Sequence, residues 1–123
     1  MARDVRRIVE SLFVAAREPY VTSLWQPPAD VYQTERGWIV KFDLAGVRPD
    51  DLELTVYGRR LTLRGVRRDW TARECQHAYS MEISYNRFER SIELPCDLDS
   101  FRIMSEYRDG MLIVSLEAEA TAR

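Results

Sequence analysis

Few side chains in this sequence of 123 residues are of a type that makes or breaks bonds, and their spacing argues against such chemistry. His77 is the only histidine, so a general base has one candidate, with Ser80 and Ser84 as neighbouring hydroxyls. A serine nucleophile works only where base and hydroxyl are held in fixed mutual geometry. Here all three fall in one polar stretch, and they read as parts of a solvated loop. The carboxylate pairs Asp50–Asp51 and Asp97–Asp99 stand at turn positions, where such groups accept backbone N–H bonds. A general acid–base pair would also need an apolar pocket, and none is signalled. One histidine with two cysteines, Cys75 and Cys96, gives neither metal-ligand spacing nor a disulfide framework. The thiols read as reduced, in a cytosolic protein, with an intermolecular bond through Cys75 as the alternative. Neither GxxxxGK nor GxGxxG occurs, so nothing points to a nucleotide. The expectation is a protein that is not an enzyme and carries no metal and no cofactor.

Composition narrows the partners. The chain is 46% hydrophobic and 31% charged, ordinary values for one soluble globular domain. Its 18 basic and 20 acidic residues leave a net charge of −2. That balance gives no overall field for nucleic acid or anionic lipid. Basic and aromatic residues do interleave at Arg67-Arg68-Asp69-Trp70 and Tyr85-Asn86-Arg87-Phe88, yet a nucleic-acid surface needs denser positive charge on one face. Glu89, Arg90 and Glu93 read as a solvated strand face. No run reaches the roughly 18 apolar residues of a membrane helix, and no apolar signal-peptide core follows the N-terminus. A cytoplasmic location without nucleic-acid or membrane partners is expected.

Val5, Ile8, Val9, Leu12, Phe13 and Ala16 recur at helical spacing, and Glu18-Pro19 would end a short amphipathic helix there. Such a helix is marginal in water unless it packs on something, either its own domain or other subunits and clients. From Asp30 onward the period is two. Strands are read at Asp30–Thr34, Gly37–Asp43, Asp51–Tyr57, Leu61–Arg64, Phe88–Leu94, Phe101–Tyr107 and Met111–Leu116. Asp109-Gly110 between the last two marks a type I′ hairpin turn, which needs positive φ at both central residues. The fold class is therefore all-β: an immunoglobulin-like antiparallel β-sandwich with a short N-terminal helical arm. Residues 1–25 form the arm and linker, 26–118 the sandwich and 119–123 a short remnant.

The stretch Val66 to Asn86 fits a compact sandwich poorly. Most loops run about 4 to 6 residues, and long ones are usually functional. Tyr79, Met81, Ile83 and Tyr85 alternate like one face of a strand. An arm of this kind can add a strand to another chain's sheet edge, or it can fold onto its own domain.

Several motifs together resemble the small heat-shock proteins, built on the α-crystallin domain. They are Pro28-Ala29-Asp30-Val31-Tyr32, Phe42-Asp43-Leu44-Ala45-Gly46-Val47, Asp50-Asp51-Leu52, Leu61-Thr62-Leu63-Arg64-Gly65, Arg87 through Pro95, and Ser105 with Asp109-Gly110-Met111-Leu112. Ser105 departs from the usual alanine of that last signature. The resemblance implies an ATP-independent holdase that binds partly unfolded proteins and suppresses their aggregation. The alternative is a co-chaperone-type sandwich module that binds one folded partner. The resemblance also implies a homodimer, with Tyr79, Met81, Glu82 and Ile83 of the 66–86 arm pairing with Asp30, Val31 and Tyr32 of the partner. Glu82 stands where the family's arm has its acidic residue, and Ile83 replaces the usual arginine. The family's C-terminal motif normally covers a groove, here expected between Leu52, Leu54 and Val56 on one strand and Ile103 and Met104 on another. No Ile-x-Ile or Ile-x-Val follows Leu116, so either assembly differs, with dimers or small oligomers, or the sequence is shortened. Clients are expected on the N-terminal helix at Val5, Ile8, Val9, Leu12 and Phe13.

Overall fold

The protein is described by a computed structural model covering residues 3–4, 25–71 and 77–119. Two four-stranded antiparallel sheets face each other. The strands are β1 (Arg3–Asp4), β2 (Ala29–Gln33), β3 (Gly37–Asp43), β4 (Leu52–Tyr57), β5 (Arg60–Val66), β6 (Arg87–Glu93), β7 (Phe101–Arg108) and β8 (Met111–Ala118). The first sheet runs β1-β4-β5-β6 and the second β2-β3-β8-β7. One turn of 3₁₀ helix, Pro49–Asp51, leads into β4. The described residues contain no α-helix.

Alternation builds the core. Val40 and Phe42 of β3, Leu61 and Leu63 of β5, Phe88 of β6 and Leu112, Val114 and Leu116 of β8 point inward and are buried. Leu44, Val47, Leu94 and Leu98, all from connections, close the ends of the same cluster. Gly65 has a packing reason: a Cβ there would stand 2.6 Å from the Phe88 ring and 2.7 Å from the Asp51 carbonyl oxygen. The hairpin joining β7 to β8 turns at Asp109 (φ 53°) and Gly110 (φ 82°), both positive as a type I′ turn requires.

The seven strands expected from Asp30 onward all form, with bounds that differ by no more than two residues at either end. The N-terminal segment differs. Arg3 and Asp4, just ahead of the stretch read as a helix, form a two-residue strand opposite Val56 and Thr55 of β4. Val5, Ile8, Val9, Leu12 and Phe13 lie outside the described residues, so the helical arm does too. Cys75 also lies outside them, whereas Cys96 is a half-buried free thiol.

Candidate interaction surfaces

Sheet order decides which backbone edges are available. Among the described residues β2 pairs only with β3, in register from Ala29↔Phe42 to Gln33↔Trp38, and is the outer strand of its sheet. An outer strand carries a row of N–H and C=O groups without a ladder partner, which makes it a template for another strand. Its side chains are exposed too: Val31 at 42% and Tyr32 at 44%, large for apolar residues facing water. The Lys41 ammonium sits 5.3 Å from the Tyr32 ring and steadies it by cation–π attraction.

The arm leaves the sandwich after β5 and returns at β6. Its described part, 77–86, contains no strand, contrary to the strand read over Tyr79 to Tyr85. The physical reason is that a strand is defined by its ladder, and an extended stretch with no neighbour alongside has none. The side chains are nonetheless held out to solvent, with Tyr79 fully exposed, Met81 at 57% and Ile83 at 58%. Glu82 and His77 are exposed as well.

The base of the arm is firmly tied. The Arg67 backbone N–H donates to the Asn86 carbonyl (3.0 Å) and so extends the β5–β6 ladder by one bond. Arg67 Nε donates to the Ser84 carbonyl (2.9 Å) and Nη1 to the Ala45 carbonyl (3.0 Å). The face of the same guanidinium lies 3.8 Å from the centre of the Trp25 ring. Trp25 in turn meets buried Phe88 edge to face, with centroids 5.3 Å apart. Next along, Arg68 forms a two-bond fork with Asp51. The Asp51 carboxylate, through that hydrogen bond first and its charge as well, pushes the Arg68 pKa up against the effect of burial. Exposed Trp70 stands 5.1 Å from the Arg48 guanidinium and 5.8 Å from that of Arg68.

A groove opens between β4 and β7. Pro49, Leu52, Leu54, Leu63, Ser105, Tyr107 and Leu112 line a cavity of about 190 Å³, predominantly apolar. Leu52 and Leu54, two of the residues expected at the groove, are among them. Val56 is not: it is 1% exposed and belongs to the core. Ile103 packs against the core, and Met104 is 39% exposed on the opposite face of β7. Neighbouring residues of a strand point to opposite faces, so Ile103 and Met104 cannot both line one groove. The far wall is instead Ser105 and Tyr107, two and four residues beyond Ile103 on its own face. The Tyr107 hydroxyl sits 2.6 Å from the Val47 carbonyl and 2.9 Å from that of Leu44, which fixes the ring at the groove's end.

Among the described residues no three His, Cys, Asp or Glu side chains gather to hold a metal. No helix among them is long and apolar enough to cross a membrane.

A two-sheet antiparallel sandwich with a long arm between β5 and β6 is the architecture of a known class. Residues 30–123 match the family model described as Hsp20/alpha crystallin family. The chain belongs to that family. It is 30% identical over 109 residues to the spore protein SP21 of Stigmatella aurantiaca, covering 85% of this chain and 64% of that protein. It is also 30% identical over 121 residues to the 18 kDa antigen 2 of Mycobacterium avium, covering 98% of this chain and 82% of that protein. Among solved structures, heat shock protein 16.0 from Schizosaccharomyces pombe superposes with a TM-score of 0.69 at 25% identity, over 80% of this chain and 94% of that one. The chain spans just under two thirds of the length of SP21.

Proposed function

We propose that this protein is an ATP-independent holdase of the cytoplasm: it binds partly unfolded proteins, suppresses their aggregation and performs no chemistry on them. Family membership supports a chaperone role. The observation that carries the finer reading is a pair of complementary features in one chain. Among the described residues the outer edge of β2 has no ladder partner and is flanked by exposed Val31 and Tyr32, while the described part of the arm, with exposed Tyr79, Met81 and Ile83, joins no sheet. A strand supplied by the arm of a second copy satisfies both. In this reading the working unit is a homodimer in which Tyr79, Met81, Glu82 and Ile83 of each arm lie along Asp30, Val31 and Tyr32 of the other subunit. Client capture falls to the N-terminal residues Val5, Ile8, Val9, Leu12 and Phe13, with the Leu52–Leu54 groove as a second apolar surface. Exposed apolar area costs free energy in water and marks interaction sites.

The test is light scattering from a heat-labile enzyme, with and without this protein and with no ATP. Suppression at near-stoichiometric ratios is expected. Scattering that is unchanged, while the protein binds one folded partner, overturns the holdase reading.

A further inference from the structure

The dimer reading leaves one matter open: an arm that is to reach a second subunit must leave its own sandwich in a fixed direction. A free tether of this length would have a large choice of directions, and strand pairing would bear the entropy of losing them. Arg67 sits where that choice is removed. It is the first residue after β5, and its three kinds of contact go to three different parts of the chain. Nε reaches the returning limb at Ser84, Nη1 reaches the β3–β4 connection at Ala45, and the flat face stacks on Trp25. The Tyr85 ring lies 5.9 Å from the same guanidinium. Only a planar group with diverging donors can make two carbonyl bonds at its edge and a ring contact on its face.

We infer that Arg67 is the positioning residue of the arm: it clasps the outgoing and returning limbs together and aims them from the sandwich, so that the strength of subunit pairing depends on it. This rests on the reading that the arm is the dimer element. Trp25 belongs to the same device. Seated on Phe88, and bridged to it through the backbone, it gives the guanidinium a rigid platform just ahead of β2. The clasp therefore also ties the arm to the chain leading into β2.

Sedimentation of the full chain over a concentration series tests this, with Arg67→Ala, Arg67→Lys, a Met81→Pro/Ile83→Pro double variant and Leu98→Ala. Arg67→Ala should weaken the dimer about tenfold. Arg67→Lys keeps the charge and a single donor but loses the fork, so it should fall between Arg67→Ala and the parent, and it carries the test if Arg67→Ala does not fold. Leu98 is buried at the far end of β5 from the arm, where its N–H meets the Gly58 carbonyl. Leu98→Ala should lower the melting temperature without changing the dimer constant. A dimer constant within about twofold of the parent for both Arg67 variants overturns the clasp. So does equal weakening by Leu98→Ala, which would make the effect one of general stability. The proline pair reports on the underlying reading alone: if it leaves the dimer intact, the arm is not the dimer element. If it breaks the dimer and the Arg67 variants do not, only the clasp fails.

Discussion

Arg68 and Asp51 meet as a fork, Nε to Oδ2 at 2.9 Å and Nη2 to Oδ1 at 3.0 Å, with the carboxylate buried and the guanidinium about a third exposed. The pair joins the foot of the arm to the 3₁₀ turn before β4. Truncating one partner of such a pair costs more than the pair contributes, because the other charge stays buried alone. Arg68→Ala should therefore destabilise the protein by about 2 kcal/mol, toward the lower end for a buried pair because water reaches the guanidinium. Asp51→Asn/Arg68→Ala should recover part of that loss. Urea denaturation midpoints check both, and a single variant as stable as the parent would show the pair to be decorative.

Gly65 gives a sharper packing test. Gly65→Ala places a methyl group against the Phe88 ring and, less yieldingly, against the Asp51 backbone oxygen. A strand alanine would otherwise gain a little over glycine. The expected outcome is a loss of about 1 to 3 kcal/mol, the usual range for overpacking. Phe88→Leu in the same chain should not restore it fully, since the backbone contact remains. Thermal unfolding by near-UV circular dichroism reads this directly.

Tyr107 makes stability depend on alkaline pH. Burial, with the nearby Asp43 charge, raises its pKa above the ordinary tyrosine value of about 10. The folded form thus holds its phenolic proton at a pH where the unfolded chain has released it. Stability from this source is complete below about pH 10 and is lost as pH rises through the raised folded value. Tyr107→Phe should cost about 1 kcal/mol at neutral pH through the lost carbonyl bond and should flatten the decline above pH 10. Denaturation midpoints between pH 8 and 11 for both proteins measure the difference. An equally steep decline in the variant would assign it to other groups.

On the proposed function, client capture and assembly should separate under deletion. Removing residues 1–20 should abolish most suppression of aggregation and leave the dimer intact. Ser105→Trp in the full chain, which fills the β4–β7 groove, should leave suppression largely unchanged. The reverse pattern in light scattering moves the client site to the groove.

The strands were legible because their signals are local. Alternation in Gly37–Asp43 and Met111–Leu116 and the Asp109-Gly110 turn each lie within a few neighbouring residues, and the ladders follow them. What escaped has no local period. Leu44, Val47 and Leu98 enter the core from connections, where no alternation marks an inward side chain. Leu52 and Leu54 line the groove, and so do Ser105 and Tyr107; strand parity turns Met104 to the opposite face, while Ile103, on the face of Ser105 and Tyr107, packs against the core instead. Trp25 lies one residue outside the sandwich span read as 26–118, yet it packs on Phe88. Arg67 looked like part of a charged loop; its partners Trp25, Ala45 and Ser84 are scattered along the chain, and only the fold brings them to one guanidinium.

The outer edge of β2 offers peptide groups, and every polypeptide carries those. A contact of this kind discriminates by shape and hardly at all by sequence, so Val31 and Tyr32 are left as its main means of refusing a stranger. If the arm of a second copy pairs there as proposed, subunit identity would be loosely policed. In a cell that makes several related chains, the same edge would admit any arm of suitable length, and mixed pairs would form in proportion to supply. The blend of subunits present, and not this chain alone, would then set which damaged proteins are held.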